Sequence, residues 1–227
     1  MARAVTLTTL QQRVQRRVNL EGATTFLTTA ELTDNINESI AHCYDLVRKA
    51  FGDDYYRAAY SFSVTSGVSS YALPADFLDV ISVDIQLSPT SIISAKRYTE
   101  RERNIYRWFP TGWVFGQPVF YRLVGGNINF IPNPSGPFTI TVNYVPAATK
   151  LVNGSDTFDG INGWEEFVVL DAAIKCAIKD QRYDLVQILQ GERARQEQRI
   201  LDLAPERNAG EAERVQDVYV SGGWSSE

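Results

Sequence analysis

A helical bundle carrying an inserted antiparallel β module, an α+β arrangement, is the fold class the sequence predicts. Three observations predict it. Apolar residues recur at helical spacing near both ends of the chain, over 7–51 and 164–203. Between about 56 and 150 the period falls toward two. Inside that stretch, at Leu73-Pro74-Ala75-Asp76-Phe77, an alternating run stops before resuming as Leu78, Val80, Ile81 and Val83. Proline cannot donate to a sheet ladder and biases the residue before it toward extended backbone, so Pro74 marks a corner between two strands. The expected division is 1–55 as a first helical part, 56–150 as the inserted β module, 151–204 as a second helical part packing on the first, and 205–227 as a flexible, extended tail.

Each element has a local cause. Leu7, Leu10, Val14 and Val18 make a short amphipathic helix over 8–19, with Arg13, Gln15, Arg16 and Arg17 between them. Thr28-Thr29-Ala30-Glu31 fits a capping box and opens a long helix with the stripe Leu32, Ile36, Ile40, Tyr44, Val47, Phe51. Gly52 stands where a left-handed end residue is expected. Strands are predicted around Tyr60-Phe62-Val64 and at 78–87, 118–124, 127–131 and 137–145, with Gly125-Gly126 as a two-residue hairpin turn. Five or so short strands result, and a short exposed helix is expected within Ser94–Trp108. After 160 the helical period returns: Asn162 is placed to cap a helix with Trp164, Phe167, Val168, Ile174 and Ile178 on its apolar face. A last helix carries Leu185, Ile188, Leu189 and Ile200 and stops at Pro205. Leu32, Ile36, Ile40, Trp164, Phe167 and Ile174 are the expected core of the bundle.

With 44% apolar and 22% charged residues the chain belongs with folded globular proteins, and its net charge of −5 gives no global pull toward nucleic acid or anionic membrane. No apolar run approaches a membrane span, and the start MARAVTLTTLQQRVQRRV lacks a secretory apolar region, so the chain is expected to stay in the cytoplasm and to have no membrane partner. The tail is too polar to fold alone yet keeps Val218, Tyr219, Val220 and Trp224, which reads as a segment that docks on a partner.

Sites of chemistry are not evident. His42 is the one histidine, beside Cys43 on a helix where neighbours point apart, so it reads as a surface or interface residue, and Cys43 and Cys176 as reduced, partly buried thiols. Ser155-Asp156-Thr157-Phe158-Asp159-Gly160 with Glu166 has the glycine and final glutamate of a calcium loop but lacks two carboxylates, which leaves a polar turn. Asp53-Asp54 and Glu165-Glu166 are sequence neighbours and project apart, and Gly125-Gly126 lacks the lysine of a phosphate loop. A hydrolase built on Asp156, Asp159 or Glu166 would rest on the presence of carboxylates alone. No catalytic residue, cofactor or metal is therefore expected. The remaining candidate is the basic face Arg13, Arg16, Arg17, a charged interface rather than a nucleic-acid site.

Read in order, several phrases resemble the head-to-tail adaptor proteins of tailed bacteriophages, the family that includes podophage tail tubular protein A. They are the capped N-terminal helix, Tyr71-Ala72-Leu73-Pro74-Ala75-Asp76-Phe77, and Ile128-Asn129-Phe130-Ile131-Pro132-Asn133-Pro134. Val142-Asn143-Tyr144-Val145-Pro146 and Trp164-Glu165-Glu166 with Ala172, Ala173 and Cys176 complete them. The resemblance spans residues 6 to about 204. It implies a structural virion protein at the head–tail junction: a homo-oligomeric ring, in such families usually of twelve copies, that binds the portal protein above and tail or nozzle proteins below. It also implies that DNA passes through the lumen without sequence-specific contacts, and that terminal segments reach the portal. An acidic lumen would repel DNA and let it slide. The competing expectation is a soluble carbohydrate- or nucleic-acid-binding module with Trp108, Phe109, Trp113 and Phe115 as a stacking platform, to be told apart from a ring by native mass.

Overall fold

A computed structural model of the chain describes residues 4–21, 26–106, 113, 118–160 and 163–207, the last four as backbone only. Its helices are α1 (Leu7–Arg17), α2 (Thr29–Phe51), α3 (Arg103–Tyr106), α4 (Glu165–Lys179) and α5 (Tyr183–Arg207). Its strands are β1 (Ala4–Thr6), β2 (Ala58–Val64), β3 (Ser70–Ala72), β4 (Phe77–Ser88), β5 (Ser91–Ser94), β6 (Lys96–Arg97), β7 (Phe120–Val124), β8 (Asn127–Ile131), β9 (Phe138–Pro146) and β10 (Thr157–Asp159).

The helices pack around one apolar core. α1 begins at Thr6, whose hydroxyl accepts from the Thr9 amide, and buries Leu7, Leu10 and Val14. α2 begins at Thr28, which accepts from the Glu31 amide at 3.2 Å. Only that half of the expected capping box forms, because the Glu31 carboxylate reaches Lys179 on α4. The α2 stripe Leu32, Ile36, Ile40, Tyr44, Val47 and Phe51 is buried throughout and meets α4, whose residues 167–174 are all buried. Each Leu, Ile or Val taken out of water there contributes roughly 1.5–3 kcal/mol, an upper bound because the unfolded chain already buries some area. On α4 the outward exception is Ile178, exposed at 49% although the sequence placed it on the apolar face, and on α5 it is Ile188, exposed at 62%. α5 buries Val186, Leu189 and Ile200 instead. It also continues past Pro205 to Arg207.

A second apolar core lies between two four-stranded sheets, ordered β2-β9-β4-β5 and β3-β8-β7-β6. In the first sheet the register aligns Phe62, Ile140, Ile85 and Ile93 in one row facing inward. The next inward row includes Val142 and Val83. Tyr121, Ile128 and Phe130 face them from the second sheet. The alternate rows point outward and are polar: Ser61, Thr141, Asp84 and Ser94, then Ser63, Thr139, Gln86 and Ile92. Gly125-Gly126 closes the β7–β8 hairpin with Val124 opposite Asn127. The Leu73-Pro74 corner carries the chain from β3 in one sheet to β4 in the other. It is pinned by the Phe77 amide donating to the Pro74 carbonyl at 3.1 Å and by the Tyr144 hydroxyl donating to the Asp76 carboxylate.

This architecture corrects the expected fold class. The described structure is 45% helical and 29% strand, with three sheets and five helices, so the β part is a two-sheet sandwich with its own core and not a small module on a helical bundle. Nor is it wholly antiparallel, since β6 runs parallel to β7. The sequence reading missed β1, β5, β6 and β10, which are two to four residues long; β1, β6 and β10 exist only through distant partners, and β5 closes a hairpin with β4. Thr157–Asp159, read as part of a polar turn, is strand β10, paired with β1. Gly52 has φ 84° and ψ 170°, positive as expected but extended rather than left-handed helical, and turns the chain into a 3-10 turn at Asp53–Tyr56. The Asn162 cap and the 205–227 tail side chains fall outside the described residues.

The two cores meet at the end of α2. The Tyr44 hydroxyl donates to the Pro146 carbonyl at the end of β9, and Arg48 pairs with Asp79 on β4 and with Asp53. Tyr44 also stacks on Tyr56 with ring centroids 3.9 Å apart.

Candidate functional site

The three arginines singled out in the sequence sit together on α1 and line a shallow depression of about 310 Å³ with Glu166 and Val169. They do not form a free basic patch. Arg13 pairs with the buried Glu165 at 3.3 Å, Arg17 with Glu166 and with Glu192 at 3.5 Å, and Arg16 with Glu21 at 3.0 Å. Acidic residues in the first turn of α4 suit its positive end, and α1 supplies their counter-charges. Only Arg16, with 68% of its side chain exposed, presents its charge mainly to solvent.

The most connected polar group is one the sequence reading passed over. Asp171 lies inside the apolar run Phe167–Ala173 and is 3% exposed. Its Oδ1 accepts from Arg193 on α5 at 2.7 Å; its Oδ2 accepts from Ser39 on α2 at 2.7 Å and lies 3.3 Å from His42 Nδ1 and 3.6 Å from Lys175 Nζ. Burial alone would raise this carboxyl, but the Ser39 and Arg193 hydrogen bonds and the Lys175 charge outweigh it and hold it below the usual carboxylate range. A lone acid in an apolar helix run was the available signal, because a charge is buried only where partners meet it.

Ser39, His42 and Asp171 are a serine, a histidine and an aspartate in contact, yet the geometry is not that of an activated nucleophile. Hydroxyl and imidazole both address the same carboxylate oxygen rather than each other, and the Ser39 hydroxyl has a second acceptor in the Asn35 carbonyl at 2.8 Å. His42 is itself 60% exposed, the surface position the sequence suggested. Cys43, next to it, is buried and its thiol is pushed up to about 12, first by burial and then by the Asp171 charge, which leaves it unreactive.

The calcium-like loop is also accounted for. Asp156 accepts from the Val152 and Asn153 amides at 2.8 and 2.7 Å, closing its own turn, and these bonds lower its pKa. Glu166 is engaged by Arg17. A Cβ on Gly160 would stand 2.7 Å from a Glu165 oxygen and 3.0 Å from Val5, so close packing explains that glycine. Among the described residues no group of three or more His, Cys, Asp or Glu side chains could hold a metal ion. Of the aromatic platform, Trp108, Phe109 and Phe115 lie outside the described residues. Trp113 is 2% exposed, stacks on Phe138 and donates from Nε1 to the Pro132 carbonyl at 2.8 Å; it is core. Val218, Tyr219, Val220 and Trp224 lie outside the described residues as well.

The described surface offers polar sheet faces, sheet edges and outward apolar side chains on α4 and α5. The family model described as SU10 adaptor protein matches residues 5–218, and the chain belongs to that family. It is thus a phage head-to-tail adaptor and a virion component. No curated protein matches the chain. Among the described residues no helix is long and apolar enough to cross a membrane.

Proposed function

We propose that the protein forms a ring between portal and tail and continues the DNA channel without specific contacts to the DNA, with no chemistry of its own. The observation that carries this reading is the extent of the family match. It takes in nearly the whole chain and runs beyond the last described helical residue, Arg207, to residue 218. That extent supports a role for the segment up to Val218, where the match stops; Tyr219, Val220 and Trp224 follow it directly. On this reading Val218, Tyr219, Val220 and Trp224 dock on the portal subunit, each apolar anchor contributing roughly 1–3 kcal/mol on burial. Ordering the segment offsets part of that gain, which favours a few strong anchors over a long weak contact. The test is truncation after Arg207, the end of α5. The shortened protein should fold with an unchanged thermal midpoint while its retention on portal rings drops sharply. Retention equal to that of the full chain would move the docking surface to the helices, beginning with Arg13, Arg16 and Arg17.

A further inference from the structure

The sheet β2-β9-β4-β5 has two open edges: β2 lacks the usual defences, and β5 has its shortness and the register shift of its pairing with β4. β2 is a seven-residue strand, Ala-Ala-Tyr-Ser-Phe-Ser-Val, paired in unbroken register with β9 on one side only. It carries no charge, no proline and no bulge, the devices by which natural edge strands avoid pairing with another chain. β5, Ser-Ile-Ile-Ser, is the opposite edge; it too is uncharged, and Ile92 on it is 64% exposed. Among the described residues no backbone hydrogen bond reaches the outer side of either strand.

We propose that these edges are partners: β5 of one copy pairs with β2 of the next, so that the sheet runs on from subunit to subunit. This rests on the ring reading above. Direction and charge both point to a second copy as the occupant. Within the sheet each strand is antiparallel to its neighbour, so β2 and β4 run one way and β9 and β5 the other. Copies related by rotation about a ring axis therefore bring β5 against β2 antiparallel, the better-bonded ladder. Antiparallel approach carries the exposed Lys96 and Arg97 of β6, which follow β5, toward the start of β2, where the exposed Asp54 and the Arg48-paired Asp53 outnumber the one exposed cation, Arg57. The other ends, Thr65–Ala75 after β2 and Leu87–Thr90 before β5, hold no charge at all. A parallel approach would carry the cations to that neutral end. Pairing β2 with β2 across a two-fold axis would close a dimer and leave β5 uncovered. Edge-to-edge contact also keeps the inward apolar rows of successive copies in one layer, and leaves the outward rows, mostly Ser and Thr with Asp84, Gln86 and Ile92, as a continuous face.

Single cysteines on the outward rows test this. Ser63 and Ile92 are both exposed and sit three strand spacings apart within one copy, roughly 14 Å, too far for a short reagent to bridge inside a subunit. The native Cys43 and Cys176 are buried. Full-length Ser63→Cys and Ile92→Cys proteins are assembled, alone at high concentration and on portal rings, and treated with a short bis-maleimide. The mixture of the two variants should cross-link to dimers, neither variant should do so by itself, and the doubly substituted chain should give a ladder of oligomers. A ring by native mass with no mixed cross-link, or cross-links within a single variant, overturns the edge pairing while the ring reading stands. A native mass of one copy under both conditions overturns both.

Discussion

Along α4 nearly every turn carries an ion pair to another helix: Glu165 to Arg13, Glu166 to Arg17, Asp171 to Arg193, Lys175 to Glu38 and Lys179 to Glu31. The sandwich core has nothing comparable, for its facing rows are Phe, Ile, Val and Tyr, and its own ion pairs, Glu100 with Arg103 and Arg122, lie at the rim. Strands are held in register by their own ladders, and a slip of one residue would turn every apolar side chain outward. Packed helices have no such ladder, and ridges can slide by a turn into the next groove. Paired charges at fixed heights along α1, α2, α4 and α5 give the helical core the register that the sheets have from their backbone.

The largest effect separates the two cores. Ile36→Asp puts an unpartnered charge into the helical core and should remove about 4 kcal/mol of stability, read by denaturant unfolding. Amides of the helices should then exchange quickly while those of β2, β9 and β4 keep their protection; equal loss in both would show a single cooperative unit. Asp171→Asn comes next, because it leaves Arg193 and Lys175 without their shared anion, and should cost about 2 kcal/mol. The same group gives the pH dependence. Its folded pKa is lowered, so its contribution is fully present above the unfolded carboxyl value of about 3.9 and disappears as pH falls through the lower folded value. Thermal midpoints below about pH 4 should therefore fall less steeply in Asp171→Asn than in the native chain. Tyr44→Phe removes the hydroxyl that joins α2 to β9 and should cost about 1 kcal/mol. Burial pushes that phenol up to about 12, so it stays a donor over the ordinary pH range and the cost should not vary there. Smallest is Arg16→Ala, whose partner Glu21 is as exposed as Arg16 itself; the change should stay within about 0.5 kcal/mol. Arg13→Ala should exceed it, since Glu165 is buried.

What the sequence made legible was periodic or chemically forced. The stripe Leu32 to Phe51 and the alternation Phe138 to Tyr144 show themselves at their own spacing, and Pro74 marked the corner because a proline has few places in a sheet. The division into two sheets was hidden, since Ser70–Ala72, Ser91–Ser94 and Lys96–Arg97 are too short to display a period, and the first and last of them take their state from strands far along the chain. Ile178 was misplaced because it stands in the last turn of α4, where the chain leaves the core. The arginines were found but not their partners, because contacts between α1 and α4 join residues about 150 positions apart.

The helical core is discontinuous in the chain, and this has a consequence during synthesis. Phe51 and Glu165 bracket more than a hundred residues, while the sandwich is a single stretch from Ala58 to Pro146. At a translation rate of roughly 5–20 residues per second, α2 emerges on the order of ten seconds before the helix that covers it. Through that interval the nascent chain can complete its sandwich but holds Leu32, Ile36 and Ile40 open to the cytosol. The segments that a ribosome-associated chaperone would meet are α1 and then α2, and they are released only when α4 and α5 arrive.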